Sequence, residues 1–324
     1  MSWVRFGTGA TVAAIGGLMA RYAIQRERLE RSWLTRVDER LSDIGEVDHV
    51  SILPLVERLS PRDGLLGEPG VSYLIRADDT TVLFDLGLNS GPRGRSTLTF
   101  NGDALGADLR SLDAVVLSHN HGDHVGGMAS MMRRTFRLTP DHLEPVGLPA
   151  YVPVEMRHER AETLVTTEPR VIAPGMAVLP PLPRMLFWAG PVMEQALVIN
   201  VRDFGLVLVS GCGHPGIERM LAASERVLDV PVKAVVGGLH LPVHAFGTPL
   251  VPQAVFGSPH WPWKLIGEQD VHDTIEALRE RGPHIVALSG HDSTPWTYGA
   301  MERAFGDGYR TLSVGEELEI PGSS

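Results

Sequence analysis

Three histidines and an aspartate fall within six positions in the run VVLSHNHGDHVGG, residues 115–127: His119, His121, Asp123 and His124. Neutral imidazole nitrogens and carboxylate oxygens are ligands that divalent zinc, iron and manganese accept. In an extended segment, side chains two positions apart leave the same side of the chain, so His119 and His121 can address one ion. Asp123 and His124 come where the backbone turns toward a helix, and they face a neighbouring position. Two adjacent ions need more ligands than one segment supplies. A water held between them is largely deprotonated at neutral pH and is a nucleophile.

The missing ligands are sought at other strand ends, because loops converge at the carboxyl ends of strands in mixed α/β sheets. AVVLSH ends in His119, LVLVSGCGH in Cys212 and His214, AVVGGLH in His240, and IVALSGH in His291. A single loop histidine is ordinarily a solvated surface residue. Four of them, each after a hydrophobic strand and a small-residue turn, read as one convergent site.

HNHGDH matches the H-x-H-x-D-H motif of the metallo-β-lactamase superfamily, and TVLFDLG and the SGH at His291 stand where that superfamily carries an aspartate-bearing strand and its last metal histidine. The resemblance runs from about residue 50 to 320. EPGVSYLI, NGDALGADLRSLDAVVLSHNHGDHVGG, EQALVINVRDFGLVLVSGCGHPGI and VVGGLHL are similar to the group that includes the 7,8-dihydropterin-6-yl-methyl-4-(β-D-ribofuranosyl)aminobenzene 5'-phosphate synthases. The resemblance implies that His119 and His121 hold one metal, that Asp123 and His124 hold a second, and that His291 completes the second. The superfamily's middle histidine falls near MEQALVIN, where Glu194 and Gln195 stand instead; His214 is the substitute, and Cys212 lies near the place of a bridging aspartate in many relatives. The implied cofactor is two Zn2+, with Mn2+, Fe2+ or Mg2+ as alternatives and one metal in place of two left open. No residue is assigned to an organic cofactor. Asp85 is expected to accept a bond from a ligand histidine and fix its tautomer. For His240 the alternatives are a ligand, a general acid, a contact to a substrate anion, or a ring bonded to a backbone carbonyl.

The elements that must position these groups follow from periodicity. VSILPLV, VSYLIRA and TVLFDLG read as strands of an antiparallel opening, and a short helix around DALGADLRSL leads into AVVLSH. A helix is expected to begin inside VGGMASMMRR. GLPAYVP and RVIAPGM read as strands in a proline-rich stretch, residues 134–190. QALVINVRDFGLVLVSG reads as two strands, PGIERMLAASERVL as a helix, VKAVVGG as a strand, EQDVHDTIEALRERG as a helix and HIVALSG as a strand. Strand-then-helix order occurring twice predicts an α/β fold, a four-layer αββα sandwich of two mixed β-sheets with outer helices.

Two segments stand apart from that rhythm. Residues 1–45 combine an apolar stub, FGTGATVAAIGGLMA, with an arginine-rich amphipathic helix carrying Ile24, Leu29, Trp33, Leu34 and Val37. This segment is expected either to lie on a membrane surface, through residues 1–40, or to dock on the domain or on a second subunit. Residues 46–324 form the main domain, with an inserted lid at 241–267 whose Phe246, Phe256, Trp261 and Trp263 line a substrate pocket; the alternatives are a flap over a homodimer surface and a membrane contact of Trp261 and Trp263 beside the N-terminal helix.

The chain has 324 residues, 43% of them apolar, and a formal net charge of -10, which gives no global positive field for nucleic acid. Its single cysteine, Cys212, cannot form an intrachain disulfide and fits a cytoplasmic location. The expected function is a metal-dependent hydrolase that directs a metal-bound hydroxide at an ester, lactone, amide or phosphoester of a small, partly apolar molecule, with Asp123 and His240 catalytic. The alternatives are a synthase-like transferase and a non-catalytic metal-binding scaffold.

Overall fold

Alternation along the strands decides the layers. The computed structural model describes residues 2–91, 95–138 and 146–322, with side chains from residue 15 onward except Pro321. Strand β1 (His49–Val56) sends Val50 and Ile52 to one side and Leu53 and Leu55 to the other. β2 (Ser72–Ala77) divides Tyr73 and Ile75 from Leu74, and β3 (Thr80–Phe84) divides Val82 and Phe84 from Leu83. β4 (Ala114–Val116), β5 (Pro149–Val152) and β6 (Glu162–Val165) extend this sheet with parallel pairing from β3 onward.

The second sheet runs through β7 (Arg170–Ala173) and β8 (Met176–Val178). The chain then forms a separate hairpin of β9 (Leu182–Leu186) and β10 (Gly190–Glu194). It returns to the sheet with β11 (Leu197–Val201), β12 (Gly205–Ser210), β13 (Val232–Gly237), β14 (Ile285–Leu288) and β15 (Tyr309–Thr311). Pairing is antiparallel from β7 to β12 by way of β8 and β11, and parallel from β12 to β15. The last strand, β16 (Leu318–Pro321), closes the first sheet against β1.

Helices α1 (Ser2–Leu34), α2 (Thr97–Leu105), α3 (Met128–Arg133), α4 (Ile217–Val227), α5 (Val251–Phe256), α6 (Glu268–Arg281) and α7 (Pro295–Phe305) complete the chain order. Val50, Ile52, Tyr73 and Phe84 meet Leu197, Ile199, Val207 and Val209 between the sheets. Leu206 and Leu208, on the opposite side of β12, meet Met220 and Leu221 of α4 and Leu278 of α6. Leu53, Leu74 and Leu83 meet Leu98 of α2. Three apolar layers bounded by two sheets and outer helices make the four-layer αββα sandwich. Each fully buried aliphatic side chain contributes about 1.5–3 kcal/mol to it.

Two local expectations are corrected and one is met. The helix read around residues 103–112 lies earlier, at Thr97–Leu105: the Ser96 hydroxyl caps it by accepting from the Thr99 amide, and Gly106 ends it at φ 69°. The helix expected inside VGGMASMMRR is present and starts at Met128, because Gly126 and Gly127 carry the chain at φ 81° and 116°. The N-terminal stripe is also different. α1 seats on the body through Tyr22, Leu29 and Trp33, with the Arg226 guanidinium 4.1 Å from the Trp33 ring centre, while Ile24, Leu34 and Val37 are exposed. Val37 lies beyond the helix end, so helical spacing no longer places it. The apolar stub belongs to this same helix, although the side chains of residues 1–14 are outside the described ones. Among the described residues no helix is long and apolar enough to cross a membrane.

Candidate active site

Six strand ends meet at one edge of the sandwich. β1 delivers Glu57, β3 Asp85, β4 the histidine cluster, β12 Cys212 and His214, β13 His240, and β14 His291. The donor atoms of His119, His121 and His214 lie within 4.8 Å of one another, as do those of Asp123, His124, Cys212 and His291, and those of Cys212, His214 and His240. The structure therefore brings together every metal-ligating residue named from the sequence, with Cys212 and His214 common to neighbouring groups. Gly211 permits this approach, since a Cβ there would collide with the Ser118 hydroxyl on the facing sheet.

Hydrogen bonds fix which ring nitrogens face the centre. The Ser118 amide donates to Asp85 Oδ1 at 2.7 Å and its hydroxyl to Asp85 Oδ2 at 2.6 Å, so Ser118 Oγ accepts the Nδ1 proton of His119 at 2.9 Å. Asp85 Oδ2 also accepts from His124 Nδ1 at 2.7 Å. On the other sheet, Ser289 Oγ donates to Glu57 and accepts from His291 Nδ1 at 2.6 Å. The Nε2 lone pairs of His119, His124 and His291 thus point inward. Two carboxylate relays hold them: Asp85, as anticipated, and Glu57, whose role nothing in the sequence signalled.

This donor set fits a divalent cation. His119 Nε2 and His214 Nε2 lie 3.0 and 3.2 Å from His121 Nδ1, and Cys212 Sγ lies 3.1 and 3.2 Å from the Nε2 atoms of His124 and His291. Each of these contacts can share at most one proton, and a divalent cation among the donors would take the place of those protons. Protons are poorly suited to that place. Burial, reinforced by neighbouring imidazoles, holds His119 and His214 well below the usual histidine range, and burial takes His121 down to about 4 and lowers His291. At the second group burial also opposes charge, yet Asp123 and Asp85 outweigh it and push His124 up to about 9. Burial opposes ionisation of Asp123 too, but the surrounding imidazoles keep it below the ordinary carboxylate value. Burial and nearby carboxylates push the Cys212 thiol well above its ordinary value, so only a cation would favour its thiolate.

Glu194, standing where a histidine was sought, shapes the turn that presents His214: its carboxylate accepts the amides of Gly213 and His214, both at 2.8 Å. Gln195 donates to the carbonyls of Leu117 and Tyr151, tying the strand end of the histidine cluster to its neighbour. His240 is buried at φ 53° with its amide held by Asp292 Oδ2 at 2.9 Å; its Nδ1 lies 3.8 Å from the same carboxylate, and neither ring nitrogen has a hydrogen-bond partner among the described residues. The alternative of a ring bonded to a backbone carbonyl is thereby overturned.

A cavity of about 620 Å³ opens over these groups, lined by Asp123, His121, His214 and His240 at its polar end and by Leu88, Met128, Met131, Leu250, Pro252 and Phe256 elsewhere. Residues 249–257 form one wall. Of the four aromatic residues expected to line it, only Phe256 does. Trp261 packs on Tyr22 of α1, Trp263 stacks on Trp261 at 5.3 Å, and Phe246 and Trp263 are exposed. The physical reason is a competing apolar surface: Tyr22 and Phe187 offer Trp261 a dry contact on the outside of the sandwich. The lining residues missed from the sequence include Arg58, which is the single Arg or Lys among them.

Residues 65–138 match the family model of the metallo-beta-lactamase superfamily. The curated 7,8-dihydropterin-6-methyl-4-(beta-D-ribofuranosyl)-aminobenzene-5'-phosphate synthase of Methanocaldococcus jannaschii is 28% identical over 242 residues, which cover 62% of this chain and 81% of that protein. Among solved structures, a metal-dependent hydrolase of the beta-lactamase superfamily superposes with a TM-score of 0.58 at 21% identity, over 84% of this chain and 100% of the other. The metallo-beta-lactamase fold protein YhfI of Bacillus subtilis gives 0.50 at 14% identity, over 83% and 99%.

Proposed function

From a chain that has the metallo-β-lactamase fold and matches the superfamily across its histidine motif, we propose a metal-dependent hydrolase acting on an ester, lactone, amide or phosphoester of a partly apolar molecule. The observation that carries this reading is the pair of ligand groups bordering a cavity with a largely apolar wall, in which Arg58, Glu68 and Gln253 are the other polar side chains. His119, His121 and His214 would hold one divalent metal, and Asp123, His124, Cys212 and His291 a second. Bound there, the metals would supply Lewis-acid polarisation and make water nucleophilic at neutral pH. Asp123, ionised and facing the cavity, orients the attacking water and accepts its proton. His240, whose ring nitrogens have no hydrogen-bond partner among the described residues, delivers a proton to the leaving oxygen or nitrogen. Met128, Met131, Leu250 and Phe256 exclude bulk water from the apolar part of the substrate. The Arg58 guanidinium has no hydrogen bond or ion pair among the described residues and is placed to meet an anionic group.

A second reading, a synthase-like transferase, is favoured by the 28% identity to the named synthase over 81% of its length. Elemental analysis of protein purified without added metal, paired with hydrolysis of ester, lactone and phosphodiester probes, separates the two. Hydrolysis predicts two metals per chain, loss of metal and activity in His121→Ala and Asp123→Ala, and a roughly 100- to 10,000-fold activity loss at full metal content in His240→Ala. Condensation of a pterin diphosphate with an aminobenzene ribotide, with no probe hydrolysed, replaces the first reading by the second. Metal without either activity overturns both.

A further inference from the structure

The stripe of α1 that seats on the body does not stop at Tyr22. Leu18 and Ile15, four and seven positions earlier, lie on the same side of the helix. There the body no longer covers them: they are 42% and 53% exposed. Tyr22 touches Phe187 and Trp261, both at 4.9 Å between ring centres, and these rings carry two exposed neighbours. Trp188 packs edge-on against Phe187 at 4.9 Å, and Trp263 stacks on Trp261. The result is one apolar and aromatic rim joining α1 to the β9–β10 hairpin and to the segment before α6.

Charge distinguishes what the rim fits. Residues 1–36 contain six arginines and two glutamates in a chain whose formal net charge is -10. Glu27 and Glu30 are already paired, with Arg31 and with Arg184 and Arg219, while Arg21 and Arg28 are exposed. A two-fold contact between copies through this rim would set arginine against arginine. Exposed indole rings together with an arginine-rich helix that carries an apolar stretch match the boundary between lipid headgroups and acyl chains. We propose that α1 and the Trp188–Trp263 rim dock this protein on the surface of an anionic lipid bilayer. Phe256 and Ala189, next to Trp188, also line the cavity, so docking brings its mouth to the lipid surface.

The test uses the full chain in co-sedimentation with vesicles of phosphatidylcholine and phosphatidylserine in a three-to-one ratio, and with phosphatidylcholine alone, at low and high salt. Binding to the anionic vesicles that falls with salt is expected. It weakens about tenfold or more in the Trp188→Ala, Trp263→Ala pair and in the Arg21→Glu, Arg28→Glu pair, with metal content unchanged as the check on folding. Absence of binding, or binding that either pair leaves unchanged, overturns the proposal. So does a dimer seen by light scattering without vesicles that the tryptophan pair returns to monomer, because the rim would then belong to a second copy.

Discussion

Glu57 is wholly buried, and its carboxylate accepts the Tyr73 hydroxyl at 2.7 Å, the Ser289 hydroxyl, and the amides of Arg58 and Gly290, both at 3.1 Å. Burial still pushes it up to about 7. Its use lies in what it does to Ser289, which must accept from His291 Nδ1 once its own proton is spent on Glu57. A Glu57→Gln side chain keeps the shape but presents a donor, so Ser289 can turn and the His291 tautomer is no longer fixed. Loss of such a relay costs about 10- to 100-fold in metal affinity. Chelator competition is expected to find that loss for one metal per chain in Glu57→Gln and full affinity for the other. Equal losses at both metals would assign Glu57 a packing role only.

At the scale of elements, the segment after β13 forms a wall of the cavity and is anchored to α6 at its start. His244 pairs with Glu268 at 2.9 Å and His260 with Asp270 at 3.0 Å. Gly257 sits where a Cβ would collide with the His240 ring, although its φ of -84° suits any residue. Gly257→Ala, whose Cβ would also press on the Gln253 carbonyl, is therefore expected to displace His240 and the end of α5 while leaving the sheets and the metal sites intact. Thermal unfolding within a few degrees of wild type, full metal content and an activity loss of about 100-fold or more would bear this out. Unchanged activity would show that His240 is not held where the proton transfer needs it. The same element shows why its tryptophans were misplaced from sequence. A long proline-rich segment with four aromatic rings can turn them inward or outward, and the choice was made by Tyr22, more than two hundred residues away.

The whole molecule carries an electrostatic strain that metal should relieve. In the metal-free protein, His119, His121, His214 and His291 are held below the ordinary 6.5. The unfolded chain binds protons that these buried rings refuse, so their contribution is complete above 6.5 and is lost as pH falls. Glu57 and Glu194, both raised from 4.5 to about 7, act oppositely: their contribution is lost as pH rises through 7. His124, raised to about 9, loses its contribution between 6.5 and 9. Four groups against two decide the acid side, and His124 decides the alkaline side. Urea midpoints measured with chelator are expected to peak near neutrality and to fall at about pH 5 and about pH 9, with bound metal flattening the alkaline limb as it replaces the His124 proton. Metal-free midpoints that climb steadily to pH 9 would contradict this balance.

Local covalent rules made part of this protein legible from sequence alone. Period-two alternation, as in Leu206 to Val209, assigns each side chain to one of two layers, and turns after hydrophobic runs put His119, Cys212, His214, His240 and His291 at strand ends. Both depend only on neighbours along the chain. What depends on through-space partners was decided by the tertiary structure. Glu57 and Ser289 meet across 232 positions, Glu194 is recruited to shape the turn before His214, and Trp261 is drawn out of the cavity by Tyr22. A lone glutamate, serine or tryptophan carries no periodicity, and its role follows from whichever group the packed sheets bring within a few ångströms.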